Sequence, residues 1–198
     1  RTATVNEIQT HLIDPDSQFE LGKIIEAHGF HREAAMVYRA QALVKGSDYA
    51  PIQGLFEACA EALDPQPALK IIDRMNSREH PAPPGLTSEY LTEQHARFLR
   101  INRDIERLIP LSRQPTGSPG APPITTKTHL PYQQSLITAY WESGNDSALL
   151  RLLTHLKNSD TIGKSQLLLG AEILIRQNRP EDALTWLGEI TLNEADPG

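Results

Sequence analysis

Seven histidines are the residues of this sequence with the greatest capacity for chemistry near neutral pH, because imidazole can ligate a metal or transfer a proton. The stretch HGFH places His28 and His31 three residues apart, a spacing that puts two ligands on one helical turn. Gly29 and Phe30 interrupt a helix at this point, and the chain has neither a His-Glu-x-x-His nor a Glu-x-x-His sequence. We therefore interpret these histidines as solvent-exposed turn residues and expect no metal and no other cofactor.

Three further histidines are candidates for a catalytic base, but no evident nucleophile stands beside them in the sequence: His95, His129 and His155. The Gly-x-Ser-x-Gly sequence that presents a hydrolase nucleophile is also missing. A triad assembled in space from distant residues stays open. Because no set of acid, base and nucleophile emerges, we do not expect an enzyme.

The stretch NSDTIGKS, residues 158–165, ends like a phosphate-binding loop. Its first position is Asn158 where that loop has glycine, and a leucine-rich helix precedes it where a strand is required. We expect the start of a helix, capped by Asp160 or Thr161, and no nucleotide site.

Charge and cysteine content exclude some classes of protein. A formal charge of -6 over 198 residues argues against a general nucleic-acid binder, which needs a basic face. The single Cys59 excludes an internal disulfide framework and a cysteine-rich zinc site, and it leaves both cytoplasm and periplasm open.

No apolar run approaches the roughly 20 residues that span a bilayer. Because the chain begins at Arg1 without methionine, we interpret it as an excised piece or a mature product.

Apolar residues recur at spacings of three and four almost throughout, and no alternating run bounded by turn residues predicts a strand. This pattern predicts an all-α chain of about nine helices. Eight of them form four pairs: Ser17–Gly29 with His31–Lys45, Tyr49–Leu63 with Pro65–Asn76, Tyr132–Gly144 with Asp146–Asn158, and Thr161–Gln177 with Pro180–Leu192. A single long helix is predicted between the second and third pairs, from about Thr87 to Leu108.

The chain divides into three parts by composition. Residues 1–108 hold the first helix pairs and the long helix, and residues 132–198 hold the last pairs. Between them, residues 109–131 contain six prolines and two glycines, which predicts a loop or linker. Its length is unusual inside a compact domain. Three hypotheses stay open: an insertion tolerated between two halves, a segment folded into a groove, or a polyproline ligand.

A repeat of 34 residues links the first two helix pairs. Three residue pairs show this spacing: Leu21 and Leu55, Ala34 and Ala68, and Tyr38 and Ile72. The first unit resembles a tetratricopeptide repeat through Leu21, Gly22, Ile25, Gly29, Ala34 and Tyr38. In that family the small residues allow two helices to touch and the bulky ones fill the space between repeats.

The later units depart from the family pattern, so the repeats are degenerate. The second unit has Phe56 where the glycine is expected, and the third has one residue fewer at the turn. The fourth follows the pattern with Gly170 or Ala171 at the close approach, and then with Leu174, Asn178, Ala183 and Leu187. A helical bundle with coincidental spacing is the alternative, but all four pairs share the same order of small and bulky residues, which favours a degenerate repeat. Since one such pair cannot bury its own apolar face, at least about three units must stack.

The resemblance implies an α-solenoid with stacked antiparallel helix pairs and a concave groove that binds a peptide or another protein. By the family's pattern the groove-facing positions are Lys23, Glu26, Gln53, Glu57, Gln134, Thr138, Trp141, Glu172 and Arg176. Only Lys23 fits the clamp for a C-terminal carboxylate, so a chaperone-tail cochaperone is not expected.

The resemblance also implies a protein-interaction scaffold, for which a bacterial envelope, secretion or polymer-export assembly is one setting that family habit suggests. A domain that senses a ligand or peptide and controls an attached effector domain is the alternative.

Overall fold

The computed structural model describes residues 14–43, 49–77, 82–112, 129–159 and 161–188. These residues form ten α-helices and no strand. The helices are α1 Pro15–Ala27, α2 His31–Ala42, α3 Tyr49–Glu61, α4 Gln66–Asn76, α5 Ser88–Ile101, α6 Ile105–Ser112, α7 Leu130–Glu142, α8 Asp146–Asn158, α9 Lys164–Arg176 and α10 Pro180–Gly188. The predicted all-α fold is confirmed for the described part of the chain.

Polar side chains fix the start of several helices by accepting a backbone hydrogen bond. The Asp14 carboxylate accepts from the Ser17 N–H at 2.9 Å, and the Thr87 hydroxyl accepts from the Tyr90 N–H at 3.1 Å. The predicted cap of α9 is wrong, because α9 begins after Gly163. There the side chain of Gln166 accepts from the Gly163 N–H at 2.9 Å, which satisfies a backbone donor without a polar cap residue.

Within the described ranges, five turns of one type join the helices in pairs. Each turn contains one residue with a left-handed backbone: Gly29, Leu63, Arg103, Gly144 and Asn178 (φ 79°, 51°, 55°, 67° and 60°). In the first, the Gly29 N–H donates to the Glu26 carbonyl at 2.8 Å and the Phe30 N–H donates to the Ile25 carbonyl at 3.2 Å. The same two bonds recur at the other four turns. The repeated unit is therefore a helix pair closed by a common C-terminal cap.

The predicted long helix from Thr87 to Leu108 is wrong, because it is two helices. The chain turns at Arg103, where the Asp104 N–H donates to the Leu99 carbonyl at 2.9 Å. The Asp104 carboxylate then accepts from the Arg107 N–H at 3.2 Å and starts α6. Aspartate favours such a cap over a helix interior, and apolar spacing does not reveal this preference. Helices α5 and α6 thus form a fifth pair.

Both ends of the Pro-rich segment are helical. Helix α6 continues through Pro110 to Ser112, and α7 begins at Leu130 with Pro131 in its first turn, where proline is tolerated. The imidazole Nδ1 of His129 donates to the Leu111 carbonyl at 2.9 Å. The remaining residues, 113–128, lie outside the described part, so the three hypotheses about this segment stay predictions.

Contacts between residues divide the chain into two compact units, residues 1–136 and 137–198, with the boundary inside α7. In the first unit each of the early helices packs against the next helix and the next but one: α1 against α2 and α3, α2 against α3 and α4, and α3 against α4 and α5. This pattern is typical of helical repeats, in which equivalent helices of neighbouring pairs lie side by side. The core includes Tyr38, Phe56 and Phe98, all buried.

The second unit has its own core around α8, α9 and α10. Leu149, Leu153 and Leu156 of α8 are buried against Ile173 of α9 and Trp186 of α10. Gly170 lies against the indole of Trp186, since a Cβ at Gly170 would be 2.6 Å from two atoms of that ring. A glycine facing an aromatic residue of the following helix is therefore present in this unit.

The same arrangement lies at the centre of the first unit. The Tyr38 ring is inserted between α1 and α3, with Gly22 on one side and Gly54 on the other. A Cβ would be 2.5 Å from the ring at Gly22 and 3.0 Å at Gly54. Gly22 is the close-contact residue expected from the sequence, but Gly54 was missed. Phe56, which the sequence aligned with that position, instead packs in the core against Phe98, with ring centroids 5.7 Å apart.

Candidate functional site

Four of the predicted groove residues lie on two neighbouring helices of the first unit, Lys23 and Glu26 on α1 and Gln53 and Glu57 on α3. The Lys23 ammonium donates to Glu20 Oε1 at 2.7 Å. Its Nζ also lies 5.4 Å from the centroid of the Phe19 ring, within the range of a cation–π contact. Lys23 is therefore held on α1 between a carboxylate and an aromatic ring.

The acidic side chains of these two helices lie around one hydroxyl group. The Tyr38 hydroxyl donates to Glu26 Oε2 at 2.9 Å, and Gln53 Nε2 donates to Glu57 Oε1 at 2.9 Å. Burial raises the pKa of Tyr38 most, the hydrogen bond to Glu26 raises it further, and the charges of Glu57 and Glu20 add to this effect. We call Glu20, Lys23, Glu26, Gln53 and Glu57 the α1–α3 strip.

Helix α5 continues this surface with an aromatic residue. The rings of Tyr49 and Tyr90 meet edge to face with centroids 5.8 Å apart. Burial raises the pKa of Tyr90, and a hydrogen bond with Tyr49 and the charge of Glu57 raise it further. Tyr90 is therefore neutral at physiological pH, and its ring together with that of Tyr49 provides an aromatic surface beside the strip.

In the second unit the structure brings Trp141 and Arg176 together, two predicted groove residues from different helices. The guanidinium carbon of Arg176 lies 4.3 Å from the centroid of the Trp141 ring. Arg176 Nη2 also donates to Asp146 Oδ1 at 2.7 Å. Both side chains remain exposed, so they form a cationic and aromatic patch at the surface.

The three remaining groove residues lie on α7 and α9. Glu172 is exposed on α9, one turn before Arg176. Gln134 and Thr138 lie one turn apart on α7, with Gln134 exposed and Thr138 half-buried. Gln134 belongs to the first compact unit and Thr138 to the second. The assignment of all nine residues to one groove therefore stays a prediction.

A polar cluster in the first unit, which is buried at His95 and Tyr132, half-buried at Arg107 and exposed at Asp73, was not predicted from the sequence. His95 Nδ1 lies 2.9 Å from the Tyr132 hydroxyl oxygen, and Nε2 lies 3.3 Å from Arg107 Nη2. Arg107 Nη2 also donates to Asp73 Oδ1 at 2.7 Å. We call these four residues the His95 cluster. The cluster joins α4, α5, α6 and α7. Because its members are far apart in the sequence, no local motif predicts it.

The pKa shifts and hydrogen bonds of the His95 cluster indicate that it has a structural role. Burial lowers the pKa of His95 most, and the Arg107 guanidinium lowers it as well, while the charges of Asp73 and Asp104 oppose this effect. Arginine can only donate, so Nε2 accepts and Nδ1 carries the proton toward Tyr132. Burial also raises the pKa of Tyr132 to about 12. Because each ring nitrogen already has a partner, the cluster links helices rather than offering a free base.

The residues first considered for metal chemistry lie at the turn between α1 and α2. His28 follows the last residue of α1 and is exposed, whereas His31 begins α2 and is half-buried. Within the described ranges, no group of three or more His, Cys, Asp or Glu side chains could hold a metal ion. In the same part of the chain, no helix is long and apolar enough to span a bilayer.

Comparisons with known proteins give a structural similarity only. No protein-family model matches the chain, and no curated protein matches it. The chain is similar to a crystal structure of nearly identical TPR-like repeats from Podosopora anserina. The two share 17% sequence identity with a TM-score of 0.46, and the alignment covers 93% of this chain and 98% of the other. A match at this level assigns neither a partner nor a function.

Proposed function

We propose that this chain is a helical-repeat scaffold that binds a peptide or another protein along the α1–α3 strip. The observation that supports this proposal most is the meeting of the polar faces of α1 and α3 around Tyr38. Side-by-side helices with exposed polar and aromatic side chains form an extended surface suited to a partner segment.

The side chains of the strip are already ordered by their neighbours. Lys23 is held by Glu20, Glu26 by the Tyr38 hydroxyl, and Gln53 and Glu57 by each other. Fewer rotamers are therefore lost when a partner binds, which lowers the entropic cost of association. The strip carries three carboxylates and one ammonium group, so we expect the partner to present basic side chains.

The patch of Trp141 and Arg176 supports a second contact with a protein partner. Tryptophan and arginine are enriched among the residues that contribute most to binding at protein interfaces. Arg176 is held by Asp146 at 2.7 Å, so its guanidinium is presented in a fixed position. We propose, from the habits of the family that the sequence resembles, that the setting is a bacterial envelope, secretion or polymer-export assembly.

Site-specific photo-crosslinking in the source organism tests the strip directly. A photoreactive phenylalanine analogue replaces Lys23 in one variant and Glu57 in another, and both positions are exposed. The control variant carries the analogue at Lys70, which is exposed on α4. We expect the same protein to be crosslinked from both strip positions and not from Lys70, with mass spectrometry to identify it.

The affinity of the identified partner then tests the role of charge. Glu57→Lys should weaken binding at least about tenfold, the equivalent of about 1.4 kcal/mol, because it places a cation opposite basic side chains. Lys70→Glu should change the affinity less than about twofold, since an exposed charge outside the strip is screened by salt. Crosslinking from Lys70 alone, or equal affinities for Glu57→Lys and the unmodified chain, would contradict the proposal.

A further inference from the structure

A groove in the second unit has none of the predicted site residues in its lining. Its volume is about 470 Å³, and it is lined by Ser147, Leu150, Arg151, Thr154, Gln177 and Arg179. We call it the α8 groove, because four of its residues form one face of α8 and the other two belong to the turn between α9 and α10. Pockets that bind small ligands have volumes of roughly 300–1,000 Å³, so the space is sufficient for part of a peptide.

The charge of the lining is positive. It contains the guanidinium groups of Arg151 and Arg179 and no carboxylate. Arg179 Nε donates to Asp182 Oδ2 at 2.6 Å, so an acid outside the lining compensates its charge. Arg151 is exposed and has neither an ion pair nor a hydrogen bond with any residue in the described ranges. The groove therefore presents one uncompensated cation.

The other polar groups of the lining can contact a peptide backbone. Neither the Ser147 hydroxyl nor the Gln177 carboxamide has a side-chain hydrogen bond within the described part of the chain. The Thr154 hydroxyl donates to the Leu150 carbonyl at 2.8 Å, which leaves its oxygen able to accept. Leu150 is half-buried and supplies an apolar surface between these groups.

The dimensions fit a short extended segment. At 1.5 Å per residue, the distance along α8 from Ser147 to Thr154 is about 10 Å. An extended peptide rises about 3.3 Å per residue, so about three residues span this face. We propose that the α8 groove binds an acidic peptide segment of a partner protein, with a carboxylate of that segment accepting from the Arg151 guanidinium. This proposal does not depend on the α1–α3 strip.

An NMR titration of the full 198-residue chain tests the proposal with two defined probes. The first is an acetylated hexapeptide in which glutamate alternates with leucine and alanine, and the second has glutamine at each glutamate position. With the acidic peptide we expect chemical-shift changes at Ser147, Arg151 and Gln177. We expect the glutamine peptide to bind at least about tenfold more weakly, because it loses the charge-assisted hydrogen bond to the guanidinium.

A charge reversal provides the matched control. Arg151→Glu should weaken binding of the acidic peptide at least about tenfold, while Arg32→Glu should alter it less than about twofold. Arg32 is exposed on α2, and its replacement changes the net charge by the same amount. Circular dichroism checks that both variants are folded. If Arg151→Glu does not fold, Arg151→Gln replaces it with the same expectation.

Four results of the peptide titrations would overturn the proposal. They are an absence of shifts with the acidic peptide, equal shifts with the glutamine peptide, shifts centred outside the α8 groove, and equal binding by the Arg151 and Arg32 variants. Inorganic phosphate provides a last probe. If phosphate shifts the same signals as strongly as the acidic peptide, the groove binds anions without recognising a peptide, and the proposal fails.

Discussion

Replacing glycine by alanine usually stabilises a helix. At position 22 the contact with Tyr38 should make this substitution destabilising. Replacing glycine by alanine inside a helix is favourable by about 1 kcal/mol from intrinsic propensity. At Gly22, however, the new Cβ would lie 2.5 Å from Cε1 and 2.9 Å from Cζ of the Tyr38 ring. Carbon atoms in contact are normally separated by about 3.5–4.0 Å, so the ring would have to move by about 1 Å.

The ring has little room for this movement. It lies against α3 at Gly54, where a Cβ would be only 3.0 Å away, and its hydroxyl is bonded to Glu26. Overpacking of this kind costs about 1–3 kcal/mol. Weakening the partly exposed hydrogen bond to Glu26 adds about 1 kcal/mol, which the gain in helix propensity roughly offsets. Gly22→Ala should therefore reduce the free energy of unfolding by about 1–3 kcal/mol.

Urea denaturation followed by circular dichroism measures this change, and thermal unfolding should show a Tm lowered by about 2–4 °C for each kcal/mol. A double-mutant cycle provides the control. In a Tyr38→Leu background the ring is gone, so Gly22→Ala should be neutral or stabilising there. The reasoning is refuted if Gly22→Ala stabilises the otherwise unmodified chain by the amount that helix propensity alone provides.

Two further predictions concern buried titratable groups. Because burial lowers the pKa of His95, the unfolded chain binds a proton that the folded chain does not, and stability should fall as the pH drops below about 6.5. In the His95→Gln variant, the urea midpoint should change less with pH across this window than in the unmodified chain. In the control His155→Gln, which alters an exposed residue, the midpoint should change with pH as in the unmodified chain. An equal pH dependence of the two variants would contradict the role assigned to His95. The Cys59 thiol is 0% exposed and burial raises its pKa to about 12, so a thiol reagent at about pH 8 should label it only after unfolding. Rapid labelling of the folded chain would show that Cys59 is accessible.

The helix pairs could be predicted where glycine marks the turn. Gly29 and Gly144 adopt left-handed backbone conformations that glycine favours, and both were visible as helix ends in the sequence. Arg103 adopts the same conformation without being glycine, and its turn was missed. Sequence spacing reports which residues face the core, but it does not report a cap formed by Asp104.

Individual residues of the candidate site could be predicted from the sequence, but the contacts between them could not. Trp141 and Arg176 were both identified from their positions in helices, but their contact depends on how α7 and α9 pack. His95 and Tyr132 meet across 37 residues of sequence, so no local pattern could connect them. Arg151 has an unremarkable sequence context, and only the α8 groove distinguishes it from other exposed arginines.

Helices α6 and α7 are held together where the chain leaves one and enters the other. His129 bonds to the Leu111 carbonyl at 2.9 Å, and the Gln133 side chain donates to the Ser112 carbonyl at 3.2 Å. The chain therefore enters and leaves residues 113–128 at neighbouring points, and the number of residues between them does not set the register of the two helices. The contacts of His129 and Gln133 with these two carbonyl groups therefore fix where α7 starts relative to the end of α6.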